Sequence, residues 1–159
     1  MKKRNIYYSL AGGTLLLIFL AYGYWVSRHN LSFTCTSSTA SFATNVNNAM
    51  MLNFTQNTTF SYSGKVVSHL SGDFIAGGVR YVLNRNIVYD YTRLDSNNYS
   101  LRVVNTTRTG SDTVPVNLEH TYLGSILHGA HRILGISEMP TGDMLISNNA
   151  GPYLICAVH

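Results

Sequence analysis

Ile87-Val88-Tyr89-Asp90-Tyr91-Thr92-Arg93-Leu94-Asp95-Ser96-Asn97-Asn98-Tyr99-Ser100-Leu101-Arg102-Val103 reads as two strands and the turn between them. Ile87, Tyr89 and Tyr91 oppose Asp90 and Thr92, and Tyr99, Leu101 and Val103 oppose Ser100 and Arg102. Side chains of a strand point alternately to its two faces, so each run has one face to bury and one to leave in water. The Asp95-Ser96-Asn97-Asn98 segment carries short polar side chains that bond their own backbone, the chemistry of a turn. A connection this short joins antiparallel strands.

The same alternation recurs outward in both directions. Leu52 and Phe54 alternate with Asn53 and Thr55; Phe60 and Tyr62 alternate with Ser61 and Ser63, and Val66 follows. Val79, Tyr81 and Leu83 oppose Arg80 and Asn84. Turns are expected at Ser71-Gly72-Asp73 and at Asn84-Arg85-Asn86, and Gly77-Gly78 predicts a bulge or sharp bend where the sheet curls. Three more strands are expected near residues 131–137, 144–148 and 153–158, separated by Pro140-Thr141-Gly142 and Gly151-Pro152. One segment breaks the pattern. Asp112 offers a cap and Pro115 suits a first helical turn, with Leu118, Tyr122 and Ile126 at helical spacing, which predicts a short helix over residues 115–127. The expected domain is mainly β, an antiparallel curled sheet of roughly seven to nine strands with one short α-helix.

Ahead of this domain, residues 6–26 carry no charge. As a helix they would rise roughly 31 Å, the thickness of a hydrocarbon core of about 30 Å. Tyr7 and Tyr8 at one end, and Tyr22, Tyr24 and Trp25 at the other, match the aromatic belts of a spanning helix. Lys2, Lys3 and Arg4 precede the run and only Arg28 follows closely, which puts the N-terminus in the cytoplasm. The expected organisation is a cytoplasmic segment at residues 1–5, a transmembrane helix in contact with lipid at 6–26, and an exported, periplasmic domain at 27–159. A cleaved signal peptide ending near Ala21-Tyr22-Gly23 is the competing reading. The retained anchor is preferred because the apolar run continues through Tyr24, Trp25 and Val26.

The net charge of +4 comes largely from the three cations before the span. The remaining Lys and Arg are scattered singly and nearly balance the seven acidic residues. Binding to nucleic acid needs clustered cations that displace phosphate counterions, so that partner class is excluded.

Cys35 and Cys156 stand at opposite ends of the exported segment. In an oxidising compartment an even pair reads as a disulfide, which would place the first and last strands side by side. Both also fall on apolar faces, Cys35 with Leu31 and Phe33, and Cys156 with Leu154 and Val158, as two buried free thiols would. Export favours the bridge.

No Gly-x-Ser-x-Gly elbow, phosphate-binding glycine loop or zinc-protease helix occurs. His128 and His131 lack a third ligand nearby in sequence. The expectation is therefore no enzyme, no cofactor and no metal. Phe60, Tyr62, Tyr81, Tyr89 and Tyr99 form the aromatic faces expected to point inward, either as core or as the wall of a site for an apolar ligand.

A Lys-rich start, one membrane helix, Phe33-Thr34-Cys35 shortly after it, Asp112-x-x-Pro115 before a short helix, and a terminal strand bearing Cys156 together resemble the FidL-like membrane proteins of enteric bacteria. In plan the chain is also similar to ToxS-type accessory proteins. That likeness implies a membrane-bound transcriptional regulator of the ToxR type as partner, the exported domains of some such pairs together completing a lipocalin-like barrel that binds bile salts. The functional expectation is a single-pass inner-membrane accessory protein that binds and tunes such a regulator. The alternative is an independent periplasmic binding module for an apolar small molecule such as a bile salt or lipid.

Overall fold

The quoted alternation is realised in β4 (Val79–Arg93) and β5 (Asn98–Arg108), whose inward residues Leu83, Ile87, Tyr89, Tyr91, Tyr99, Leu101 and Val103 are all buried. The computed structural model describes residues 2–45, 48–148 and 151–159, with side chains 2–11, 27–29, 40–45, 48–49 and 152 left out of that description. In chain order the elements are α1 (Lys2–His29), β1 (Phe33–Asn45), β2 (Asn48–Ser61), β3 (Lys65–Ala76), then β4 and β5, α2 (Val116–Tyr122), a 3-10 turn (Gly124–Ile126), β6 (His131–Glu138), β7 (Met144–Asn148) and β8 (Gly151–Val158). The strands form a closed antiparallel barrel in the order β1 to β8. Register shifts at Val88/Tyr89 and Ile146/Ser147 add local twist where the sheet curls.

Several expected breaks prove to be continuous strand. β3 runs straight through Ser71-Gly72-Asp73, with Gly72 opposite Phe54 on one side and Leu83 on the other. A side chain at Gly72 would come within 2.6 Å of the Phe54 Cα, so this glycine serves close strand approach rather than a turn. β4 likewise runs through Asn84-Arg85-Asn86, and Arg85 points inward between Leu83 and Ile87. The Gly77-Gly78 pair is the β3–β4 hairpin turn itself, not a bulge. Both residues have positive φ (+59° and +77°), as the mirror-type two-residue turn demands, and Ala76 pairs with Val79 across it. Phe60 and Tyr62 do not share a strand face: β2 ends at Ser61, and Tyr62 opens the turn before β3, 51% exposed. The expected helix over 115–127 is shorter, α2 giving way at Leu123 to the 3-10 turn.

The barrel has two unlike halves. Its near end carries α1, the turns at residues 62–64, 94–97 and 139–143, and the Cys35–Cys156 disulfide, with Cα atoms 5.3 Å apart across 121 residues of sequence. There all eight strands meet around Phe33, Phe60, Tyr91 and Tyr99, a chain of ring contacts with centroids 4.6–6.0 Å apart. Toward the far end, β6 pairs with β5 only as far as Arg102↔His131. Beyond that point the connection from β5 to β6 replaces the missing strands. Val114, Leu123 and Ile126 from that connection are buried against the inner face of the longer strands. Burying a Phe74, Leu83 or Ile87 completely contributes about 1.5–3 kcal/mol each.

The disulfide closes a short seam. β1 pairs with β8 only at Cys35↔Val158 and Thr36↔Ala157, helped by the His159 N–H donating to the Thr34 carbonyl at 3.1 Å. The ladder goes no further, and residues 37–45 of β1 pair with no strand on that edge among the described residues.

The 28-residue α1 exposes Leu15, Leu16, Leu17, Ile18, Phe19 and Leu20 to its surroundings. Its side chains are described over residues 12–26, fewer than the about 20 apolar residues a crossing takes. Among the described residues no helix is long and apolar enough to cross a membrane. The C-terminal end of α1 is tied to the barrel. Asn30 Nδ2 donates to the Tyr62 carbonyl at 2.6 Å, and the Tyr91 hydroxyl accepts from the Leu31 N–H at 2.8 Å.

Candidate functional site

The five aromatics expected to line one inward face are distributed over three places. Phe60, Tyr89 and Tyr99 are buried in the near half, where Phe60 stacks on Phe33 and Tyr99 meets Tyr91 edge-on. Burial pushes the Tyr89 phenol above its ordinary range, the nearby Arg132 opposing this in part. Space left among Phe60, Tyr89, Leu101 and Leu134 amounts to about 30 Å³, room for about one water. The polar groups beside that space satisfy one another: Thr58 and Ser68 hydroxyls lie 2.8 Å apart and Gln56 Nε2 donates to Thr58 at 2.9 Å. Tyr62 is outside, in its turn. Tyr81 is at the far end, partly buried beside Phe74.

The far end contains two features that the sequence did not announce. The first is a buried charge network. Arg85 lies at 0% exposure and reaches two carboxylates: Nε donates to Asp112 Oδ2 at 2.9 Å, while Nη1 and Nη2 meet the two Glu119 oxygens at 3.0 and 3.1 Å. Arg108 adds contacts to Asp112 at 3.2 Å and Glu119 at 3.7 Å. Two cations and two anions leave the group neutral, which is what lets Arg85 and Asp112 stay out of water while Arg108 reaches the surface. Asp112 does not cap the helix, as its position suggested. The N-cap residue of α2 is Pro115, and Asp112 instead accepts the N–H groups of Asn84 and Val114, both at 3.1 Å. Burial alone would raise its carboxyl, but the bonds from Arg85 and the two amides outweigh it and hold the group below the usual carboxylate range.

The network fixes the chain after β5. Thr109 and Thr113 N–H groups bond the carbonyls of Asn84 and Val82, and the Val82 N–H donates to Thr113 Oγ1. The segment therefore continues the ladder along β4 and delivers α2 across the barrel end. No residue of α2 is itself buried.

The second feature lies under that helix, a cleft of about 470 Å³ between α2 and the β3–β4 turn. Met50, Val79, Tyr81, Leu118 and Tyr122 form most of its wall and Asn117 brings an amide. The network could have been found only by noticing one basic residue on the apolar face of Leu83 and Ile87, with Asp112 and Glu119 beyond a strand break.

His128 and His131 do not converge. His128 Nδ1 is 2.6 Å from the Val104 carbonyl and His131 Nε2 is 2.6 Å from Ser100 Oγ on the outer surface. Among the described residues no group of three side chains is placed to hold a metal ion. No protein-family model matches this chain, and no curated protein matches it.

Proposed function

We propose that this chain is a single-pass inner-membrane accessory protein whose exported barrel binds and tunes a membrane-bound transcriptional regulator of the ToxR type. The observation that carries this reading is the open β1 edge. Residues 37–45 pair with β2 on one side, while on the other their outward N–H and C=O groups meet no paired strand among the described residues, and they contain no charge and no proline. Isolated barrels usually guard such an edge with Lys, Pro or a bulge, because an unguarded edge recruits another strand. An extended segment of a regulator's exported domain would add to it by β-augmentation.

The exposed apolar side chains from Leu15 to Trp25 and the Lys2-Lys3-Arg4 start support α1 as the anchor, N-terminus inside. The resemblance to FidL-like and ToxS-type proteins supports the partner class.

A photo-crosslinking residue at Ser38, on the open edge, and another at Val67, exposed on the outer face of β3, would test this in native membranes. The expected result is a covalent adduct with a membrane regulator from Ser38 and none from Val67. No adduct from Ser38, or equal adducts from both sites, would remove the reading.

A further inference from the structure

The cleft at the far end lies away from the filled near half, on the side where its Met50 pairs with Ala43 of β1, and its walls have a definite chemistry. We propose that the cleft between α2 and the β3–β4 turn is a binding site for a small, uncharged, ring-bearing molecule. Its volume, about 470 Å³, falls within the range of about 300–1,000 Å³ typical of small-molecule pockets.

Among the described residues no charged side chain lines the cleft. The nearest charged group on α2, Glu119, is turned toward Arg85 and Arg108, where its charge is already matched. A charged ligand would therefore enter without a counter-charge, at the desolvation cost that excludes it. Two phenol rings, Tyr81 and Tyr122, and the Met50 thioether face the space, the surfaces that ring-bearing molecules pack against best. The Asn117 amide offers one hydrogen-bonding handle.

α2 forms the far wall: Glu119 ties it to the two arginines, and Leu118 and Tyr122 pack part-buried against the core, Tyr122 beside Phe74 with centroids 5.8 Å apart.

The test uses the full chain in lipid nanodiscs with 3-fluorotyrosine at its 11 tyrosines, read by fluorine NMR during titration with 2-naphthol. Saturable shifts are expected at Tyr81 and Tyr122, with Tyr89 and Tyr99 unmoved. Naphthalene-2-sulfonate should bind at least about tenfold more weakly, a difference of about 1.4 kcal/mol. Val79→Asp should weaken 2-naphthol about tenfold, and because Val79 is 50% exposed the barrel should keep its melting temperature. Leu118→Asp serves as the second variant should the first fail to fold. Shifts that never saturate, that appear equally at Tyr89 and Tyr99, or that survive unchanged in a folded variant would overturn the proposal. None of these readouts involves the β1 edge or a regulator.

Discussion

Both oxygens of Asp112 are occupied within the protein: Oδ2 by Arg85 and the Asn84 amide, Oδ1 by Arg108 and the Val114 amide. The folded-state carboxyl therefore sits below its ordinary range, while in the unfolded chain it titrates near about 3.9. A depressed folded value means that the unfolded state binds the proton first. The stabilisation is fully present above the unfolded value and is lost as pH falls through the folded one. Urea midpoints measured across the acid range should drop below about pH 4, and Asp112→Asn should flatten that drop. The same substitution should cost about 3 kcal/mol at pH 7, since it strips the charge from a buried partner of Arg85. An exposed pair such as Lys65–Asp90, at 3.0 Å, should cost under about 1 kcal/mol when broken. A variant with unchanged stability at pH 7 and an unchanged acid limb would show that the network is not held by Asp112. At this scale the sequence was hardest to read. Asn84-Arg85-Asn86 has the composition of a turn, but β3 and β5 pair with it as strand, and Arg85 can point inward because Asp112, 27 residues away, meets it there. A local pattern does not contain that information.

Elements were legible in proportion to the contrast between their two faces. β5 and the inner face of β4 follow the period-2 rule closely, because apolar inward residues alternate with polar outward ones. β1 was readable only at Leu31, Phe33 and Cys35. Past that point Ser, Thr and Ala occupy both faces apart from Phe42 and Asn45, and length alone would not reveal a 13-residue strand. The bridge between β1 and β8 was legible from cysteine arithmetic, and the structure explains its value there. The seam has only two register pairs and the His159 hydrogen bond, so the covalent link reinforces a short ladder. Cys35→Ser and Cys156→Ser should each lower stability by about 2–4 kcal/mol, a large share of the about 5–15 of a typical domain. The double variant should be no worse than either single one, because both changes remove the same bond. Denaturant titration checks the magnitudes. Additive losses, or full stability in all three variants, would mean that the seam closes without the bridge.

For the whole molecule, the short link between α1 and the barrel turns a topological reading into a geometric one. His29 ends α1 and Phe33 begins β1, so the near end lies within roughly 14 Å of the helix terminus even with the link fully extended. Asn30 and Leu31, bonded to Tyr62 and Tyr91, shorten that tether further. Under the proposed anchoring, the near-end turns would rest at the outer headgroups of the inner membrane, and the α2 cleft would face away from it. Leu94, 54% exposed in the β4–β5 turn, and Val116, 59% exposed at the start of α2, mark the two ends. Both native cysteines are paired in the bridge, so a single introduced cysteine is a clean reporter. In cells with a permeabilised outer membrane, Leu94→Cys and Val116→Cys should both react with a membrane-impermeant maleimide before lysis. Carrying a fluorophore in reconstituted vesicles, position 94 should be quenched by headgroup-bound quenchers and position 116 should not, since it lies beyond their reach. Labelling only after lysis would defeat the exported orientation. Equal quenching at both ends would defeat the upright barrel while leaving export intact, so the two halves of the reading stand or fall on separate signals.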